Sequence, residues 1–228
     1  MTTSHLTDTD IRVRDAVLRQ LEWDPAVDAS AIGVAAQGGV ATLTGYIDTY
    51  SGKLAAERAA KRVRGVRGVA NDIEVRPMLE RTDTDLARDA VRALQLRGTV
   101  PDSVQAVVHH GWITLTGKVP WLYQRQDAEK AVRHIRGIRG VHNHVDAAPR
   151  AVQRDVRHRI VEALHRSAEF DAHHITVTVD DDVATLTGNV STWFQRDAVE
   201  GAAASAPGVR RVDNRLVVVP ADVTDEIC

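Results

Sequence analysis

The sequence holds one cysteine in 228 residues, and it is the last, Cys228. No intramolecular disulfide can form, which fits a reducing compartment. No apolar run approaches the roughly 18 residues that suggest a membrane span, so no transmembrane segment is expected. The opening "MTTSHLTDTD" lacks a basic stretch followed by an apolar one. It does not read as a secretory signal, and the expected location is the cytoplasm, with peripheral membrane association left open. The net charge is −2. That is not the strongly basic balance of a generic nucleic-acid binder, so no nucleic-acid partner is expected. The motifs G-x-S-x-G, G-x-x-x-x-G-K-[ST] and G-x-G-x-x-G are absent. Acidic residues abound, but no repeated pair sits in an apolar setting that would tune an acid and a base. No enzyme, no catalytic residue and no cofactor is expected.

What is present is a period. At 43% hydrophobic and 26% charged, the chain has ordinary globular composition. Gly65, Gly137 and Gly208 are spaced by 72 and then 71 residues, and Asn71, Asn143 and Asn214 keep the same steps. So do Pro77, Pro149 and Pro220, and the glycines Gly45, Gly117 and Gly188 that close "TLTG" three times. The repeat is too long for a solenoid unit but long enough for a small domain. The expected units are residues 1–78, 79–149 and 150–228. Their net charges are 0, +2 and −4.

Each unit changes periodicity in the same order. Val13, Val17 and Leu21, and later Val156, Ile160, Ala163 and Leu164, form one helical stripe. A short apolar stretch, a tight polar connection ("QGG", "HHG", "DDD") and a strictly alternating strand follow, as in a β-hairpin. In that second strand Ala41, Leu43 and Ile47 point one way, Thr42 and Thr44 the other. A second helix shows Ala56, Ala59, Ala60 and Val63, matched by Ala128, Ala131, Val132 and Ile135 and by Val199, Ala202, Ala203 and Ala206. Gly65, Gly137 and Gly208 take the left-handed position after that helix. The apolar run beyond is a third strand, parallel to the second across a right-handed crossover. The fold class is α+β: three tandem α-β-β-α-β units, each a three-stranded mixed sheet with two helices on one face.

The combination of a T-L-T-G strand, an Ala- and Arg-rich helix, and G-[VI]-x-x-V-x-N before an apolar strand resembles the BON domain family. All three copies carry it, and "VSTWFQRDAVEGAAASAPGVRRVDNRLVV" (190–218) is the closest to the pattern. The third copy departs from it at Asp182 and Arg211, where the others have glycine. The resemblance implies a non-enzymatic, stress-associated binding protein of the osmotically induced or transport-associated kind. It also implies anionic phospholipid as partner, with potassium binding as an alternative. A self-assembling scaffold is a third reading.

Four groups of residues are candidates. Lys53, Arg58, Lys61 and Arg62 in the first unit and Arg125, Lys130 and Arg133 in the second make the second helices basic. They suit anionic headgroups, at about 1 kcal/mol per cation near a charged surface. The alternative is a solvated face whose cations complement the helix C-terminus. Trp112, and Trp121 within "PWLYQR", are aromatic candidates for a lipid interface. The equivalence of Tyr50, Leu122 and Trp193 favours packing at the helix start instead. His109, His110, His142 and His144 are weak metal candidates without a recognised spacing, and no metal is expected. His158, Glu162 and His165 share a helix face, again without a motif. The threonine pairs Thr42/Thr44, Thr114/Thr116 and Thr185/Thr187 face the side opposite the helices, a surface for contact between units or in a homo-oligomer.

Overall fold

The computed structural model describes residues 8–147, Ile160, 175–206 and 208–219. Unit 1 runs α1 (Asp8–Trp23), a 3-10 turn, β1 (Ile32–Gln37), β2 (Val40–Ile47), α2 (Tyr50–Lys61) and β3 (Gly68–Val75). Unit 2 runs α3 (Asp83–Gln95), β4 (Gln105–His109), β5 (Trp112–Val119), α4 (Leu122–Val132) and β6 (Gly140–Ala147). The described elements of unit 3 are β7 (Ile175–Asp180), β8 (Val183–Val190), α5 (Trp193–Ala204) and β9 (Arg211–Val218). Ile160 is helical and fully buried. The other positions expected in that helix (Val156, His158, Glu162, Ala163, Leu164 and His165) lie outside the described residues, as do Pro149, Pro220 and Cys228.

Each sheet has the second strand in the middle, antiparallel to the first and parallel to the third. This is the mixed three-stranded sheet that the periodicities predict. The stripes bury as expected: Val13, Val17 and Leu21 on α1, and Leu86, Ala90 and Leu94 on α3. Ala55, Ala56, Ala59 and Ala60 let α2 lie close to its sheet. Leucine side chains such as Leu43, Leu115 and Leu186 are fully buried, each burial contributing about 1.5–3 kcal/mol. The glycine that ends T-L-T-G has a steric cause. Gly117 sits at φ +132°, and the carbonyl of Ser103 fills the space a Cβ would need; Gly45 and the carbonyl of Ala31 repeat this in unit 1.

The repeated asparagine is a clamp. Asn143 donates from its amide to the carbonyl of Arg125 (2.8 Å) and to the Glu129 carboxylate (3.3 Å), while its oxygen accepts from the Val145 N–H (3.2 Å). Asn71 makes the same set with Lys53, Glu57 and Ile73. Asn214 donates to Glu200 and accepts from Leu216. Each clamp ties strand three to helix two, and so fixes where the basic helix lies.

The units close on one another in cyclic order through equivalent residues. Tyr50, the first residue of α2, packs against both its own core and that of units 2 and 3, beside Val141 of β6. Leu122, first in α4, lines a cleft with Glu200, Ala204 and Val212 of unit 3. Trp193, first in α5, packs against the core of unit 1 together with Val69. Units 2 and 3 share one continuous hydrophobic core, whereas unit 1 keeps its own. The third seam, between units 3 and 1, adds polar contacts. Lys61 binds Asp197 at 2.7 Å and its own Glu57 at 3.0 Å, and Arg62 lies over the Phe194 ring at 4.8 Å.

Candidate cationic surface

The basic residues of the second helices do not act as one group. Burial pushes the Lys61 ammonium down, but its bonds to Asp197 and Glu57 outweigh this and hold it above its ordinary value. Lys61 therefore belongs to the seam between units. The Arg125 guanidinium donates to the carbonyl of Asn143 and reinforces the clamp. The Lys53 carbonyl is part of the corresponding clamp, and Lys130 pairs with Asp127 at 3.3 Å.

Arg58 lies near enough to Arg133 across the seam between units 1 and 2 for its charge to act on it. Arg133 caps the C-terminal end of α4. Its charge is disfavoured by burial, by Arg58 and by Arg97 against a smaller favourable effect of Glu129. His134 is held below its ordinary value by burial, then by Arg133, Arg58 and Arg97. Arg62 stands one turn beyond Arg58 on α2 and approaches Asp24 at 3.9 Å. Arg58 and Arg97 thus act on the charges of Arg133 and His134, and with Arg62 these residues make up a cationic row.

Two apolar side chains in solvent accompany that row. Trp23, the last residue of α1, is 84% exposed and adjoins Asp24. Leu96, which caps α3 immediately before Arg97, is 78% exposed. The sequence reading assigned neither Trp23, Leu96, Arg97 nor His134 to a site. The available signal was a departure from the repeat, since a large apolar residue ends a helix where the aligned position in the other unit is polar.

The aromatic candidates fall elsewhere. Trp121 is the half-buried residue preceding α4, and its backbone N–H donates to the Gln124 side chain at 3.1 Å. Trp112 is 41% exposed on the helix-free face of its sheet, the side opposite the basic helices. Its ring lies over Gly140, where any Cβ would collide with it, and stacks on His142 at 4.8 Å and 12°. His144 continues the row at 6.3 Å. His109 and His110 pack edge to face at the preceding turn. Among the described residues no group of three or more His, Cys, Asp or Glu side chains is placed to hold a metal ion. The outer threonines Thr44, Thr116 and Thr187 are exposed on the same helix-free faces, and Thr42, Thr114 and Thr185 half-buried. Among the described residues no helix is long and apolar enough to cross a membrane.

Comparison with known proteins adds the following. The family model of the BON domain matches three times, at residues 9–77, 82–149 and 153–220. Two similar solved chains are described as CdsD, a structural protein of the type III secretion system of Chlamydia trachomatis, and as the C-terminal domain of CdsD. Each is 14% identical. The first covers 91% of this chain and 92% of its own at a TM-score of 0.27; the second covers 92% and 98% at 0.25. At those scores the likeness carries no further argument. The search of curated proteins found no match.

Proposed function

The chain belongs to the BON domain family, as three BON domains in tandem, and from that premise we propose that it is a non-enzymatic, stress-associated protein that attaches reversibly to anionic phospholipid surfaces. One observation carries this reading. The cationic residues Arg62, Arg58, Arg133, His134 and Arg97 are accompanied by two solvent-exposed apolar side chains, Leu96 next to Arg97 in the chain and Trp23 next to Asp24, which approaches Arg62. Cations near a charged bilayer contribute about 1 kcal/mol each, and an interfacial Trp adds a polar–apolar anchor. Together they give the graded, salt-sensitive binding of a peripheral protein rather than insertion. The test is flotation with liposomes of rising anionic lipid content at low and high salt. Binding is expected to grow with lipid charge, to fall in high salt, and to be lost in the variant Trp23→Ser, Leu96→Ser, Arg58→Glu. Binding to neutral liposomes alone, or to none, overturns the reading.

A second reading, an interaction scaffold, rests on a separate feature. A groove of about 560 Å³ between α3 and the edge strand β4 is lined by Leu94, Val100, Val104 and Val107 together with the polar Gln95, Asp102 and Gln105. The outer edge of β4 has no neighbouring strand among the described residues. Edge strands of this kind accept an added strand. A mass above that of one chain in native mass spectrometry, reduced by Val107→Lys, supports self-association; a single-chain mass at all concentrations overturns it.

A further inference from the structure

The helix-free face of unit 2 differs from those of its two copies. On it Trp112, His142 and His144 form a row of near-parallel rings, at 4.8 Å and 12° and then at 6.3 Å and 19°. The strand register sets Thr114 beside His142 and Thr116 beside His144. At the positions of the three rings unit 1 has Val40, Ala70 and Asp72, and unit 3 has Val183, Asp213 and Arg215. Two copies therefore build the same sheet without these rings, so the fold does not require them. Neither does the core, since His142 and His144 are exposed and Trp112 is 41% exposed. The Trp112 ring is nonetheless held in place from below. It lies over Gly140, where any Cβ would collide with it. At the equivalent Gly68 a Cβ would meet the Val40 side chain at an ordinary 3.6 Å. Gly140 is not among the glycines at positive φ. Glycine at this position thus serves the seat of the indole rather than the path of the chain.

What this face can hold follows from its charge and polarity. Its strand positions carry one lysine, Lys118, and one acid, Asp146, which the register sets beside each other. A single-stranded nucleic acid needs cations along its backbone as well as rings to stack on, and an anionic bilayer needs them too. A second copy of the chain needs a broad apolar patch, and here Val107 and Trp112 are the large exposed apolar side chains. The other groups are hydroxyls and imidazoles, which both donate and accept. An uncharged pyranose matches this surface. Its axial C–H bonds lie against the electron-rich face of an indole, and its equatorial hydroxyls reach the polar groups alongside. From Gly140 to His144 the row follows four residues of β6, about 13 Å, which is longer than one such ring. We propose that the helix-free face of unit 2 binds an uncharged β-linked oligosaccharide of equatorial pyranoses. One sugar stacks on Trp112, and Thr114, Thr116, His142 and His144 hold its hydroxyls and those of its neighbour. The site is independent of the membrane reading, whose basic helices lie on the other side of the sheet.

The full chain is titrated with cellohexaose and with chitohexaose, both uncharged, and followed by the ring resonances of its tryptophans and histidines in NMR. The resonances of Trp112, His142 and His144 are expected to move with the sugar, while those of Trp23, Trp121 and Trp193 stay. The sugar ring protons should shift upfield in the ring current of the indole. Trp112→Ala is expected to weaken binding at least about tenfold. Gly140→Ala keeps the indole but displaces it, and should weaken binding by a similar factor. Gly68→Ala, the same change in unit 1, should leave binding as it is. Melting temperatures confirm that all three variants are folded. No movement at Trp112 with either sugar, or equal binding by Trp112→Ala, overturns the site. Two other results also overturn it by giving the face to another occupant. In one the same resonances move with oligothymidylate and not with sugar; in the other they move with protein concentration alone. Flotation of Trp112→Ala with anionic liposomes keeps this site apart from the membrane reading. Unchanged flotation is expected, so that either can fail without the other; lost flotation would place Trp112 in the bilayer contact and overturn the sugar site.

Discussion

Two side chains show how single residues hold this fold. Asn143 satisfies both its donors and its acceptor between β6 and α4, so removing it leaves the carbonyl of Arg125 and the Val145 N–H without their partner. Asn143→Leu is expected to destabilise the protein by about 1–3 kcal/mol, as read by urea denaturation. Equal stability would mean that water replaces the clamp at no cost. Asp83, at the start of α3, accepts from the N–H groups of Gly111 (2.9 Å) and His110 (2.7 Å), and these two bonds, Gly111 first, hold its carboxyl below the ordinary value of 3.8. A depressed carboxylate contributes stability above its unfolded value and loses it as pH falls through the folded one. The stability gap between the protein and Asp83→Asn is therefore expected at neutral pH and should close progressively below about pH 4. A gap that persists unchanged at pH 2 would show that it does not come from the charged carboxylate. The asparagine period was legible in the sequence, because it recurs at 72 and 71 residues. Its partner was not. Glu57, Glu129 and Glu200 repeat equally well, yet each reads as one more charge on a solvated helix until strand three is placed beside it.

At the scale of elements, the sequence specified what each segment is, and periodicity sufficed for it. The stripe Val13, Val17, Leu21 has only one helical face, and Ala41, Leu43, Ile47 only one strand face. The destination of the first residue of each second helix was harder to read. Packing is what the equivalence of Tyr50, Leu122 and Trp193 favoured, and packing is what these residues do, but on the neighbouring unit. A repeat pattern contains no term for which copy a side chain touches. Leu122 is buried in the core shared by units 2 and 3. Leu122→Ala is expected to cost about 2–5 kcal/mol in global stability. The same substitution should lower the melting of units 2 and 3 together, because their core is continuous. Amide hydrogen exchange on β5 and β8 tests this, and acceleration confined to β5 would show that the shared core does not couple them.

For the whole molecule the question is whether three seams make one cooperative body. Two seams join neighbours in the chain, but the seam between units 3 and 1 must be closed by side chains alone. Trp193, Lys61, Asp197, Arg62 and Phe194 carry it. Among the described residues the buried Trp193 indole N–H has no hydrogen-bond partner, which makes this seam less complete than its apolar contacts suggest. The ion pair has one partly sheltered partner, Lys61, and one exposed partner, Asp197, so its worth lies near the surface range of about 0.2–1 kcal/mol. A double-mutant cycle with Lys61→Met and Asp197→Asn should return a coupling in that range, smaller in high salt. Removing the aromatic contact reaches further. Trp193→Ser is expected to open the ring, increasing the radius of gyration in small-angle X-ray scattering while the far-UV circular dichroism of the separate sheets is kept. Opening also moves α2 relative to α4, because Tyr50 and Arg58 stand on the same helix as Lys61. Binding to anionic liposomes should then weaken although no residue of the cationic row has been changed. An unchanged radius with unchanged liposome binding would show that two seams suffice to position the third unit, and that the contacts of Trp193 are a consequence of closure rather than its cause.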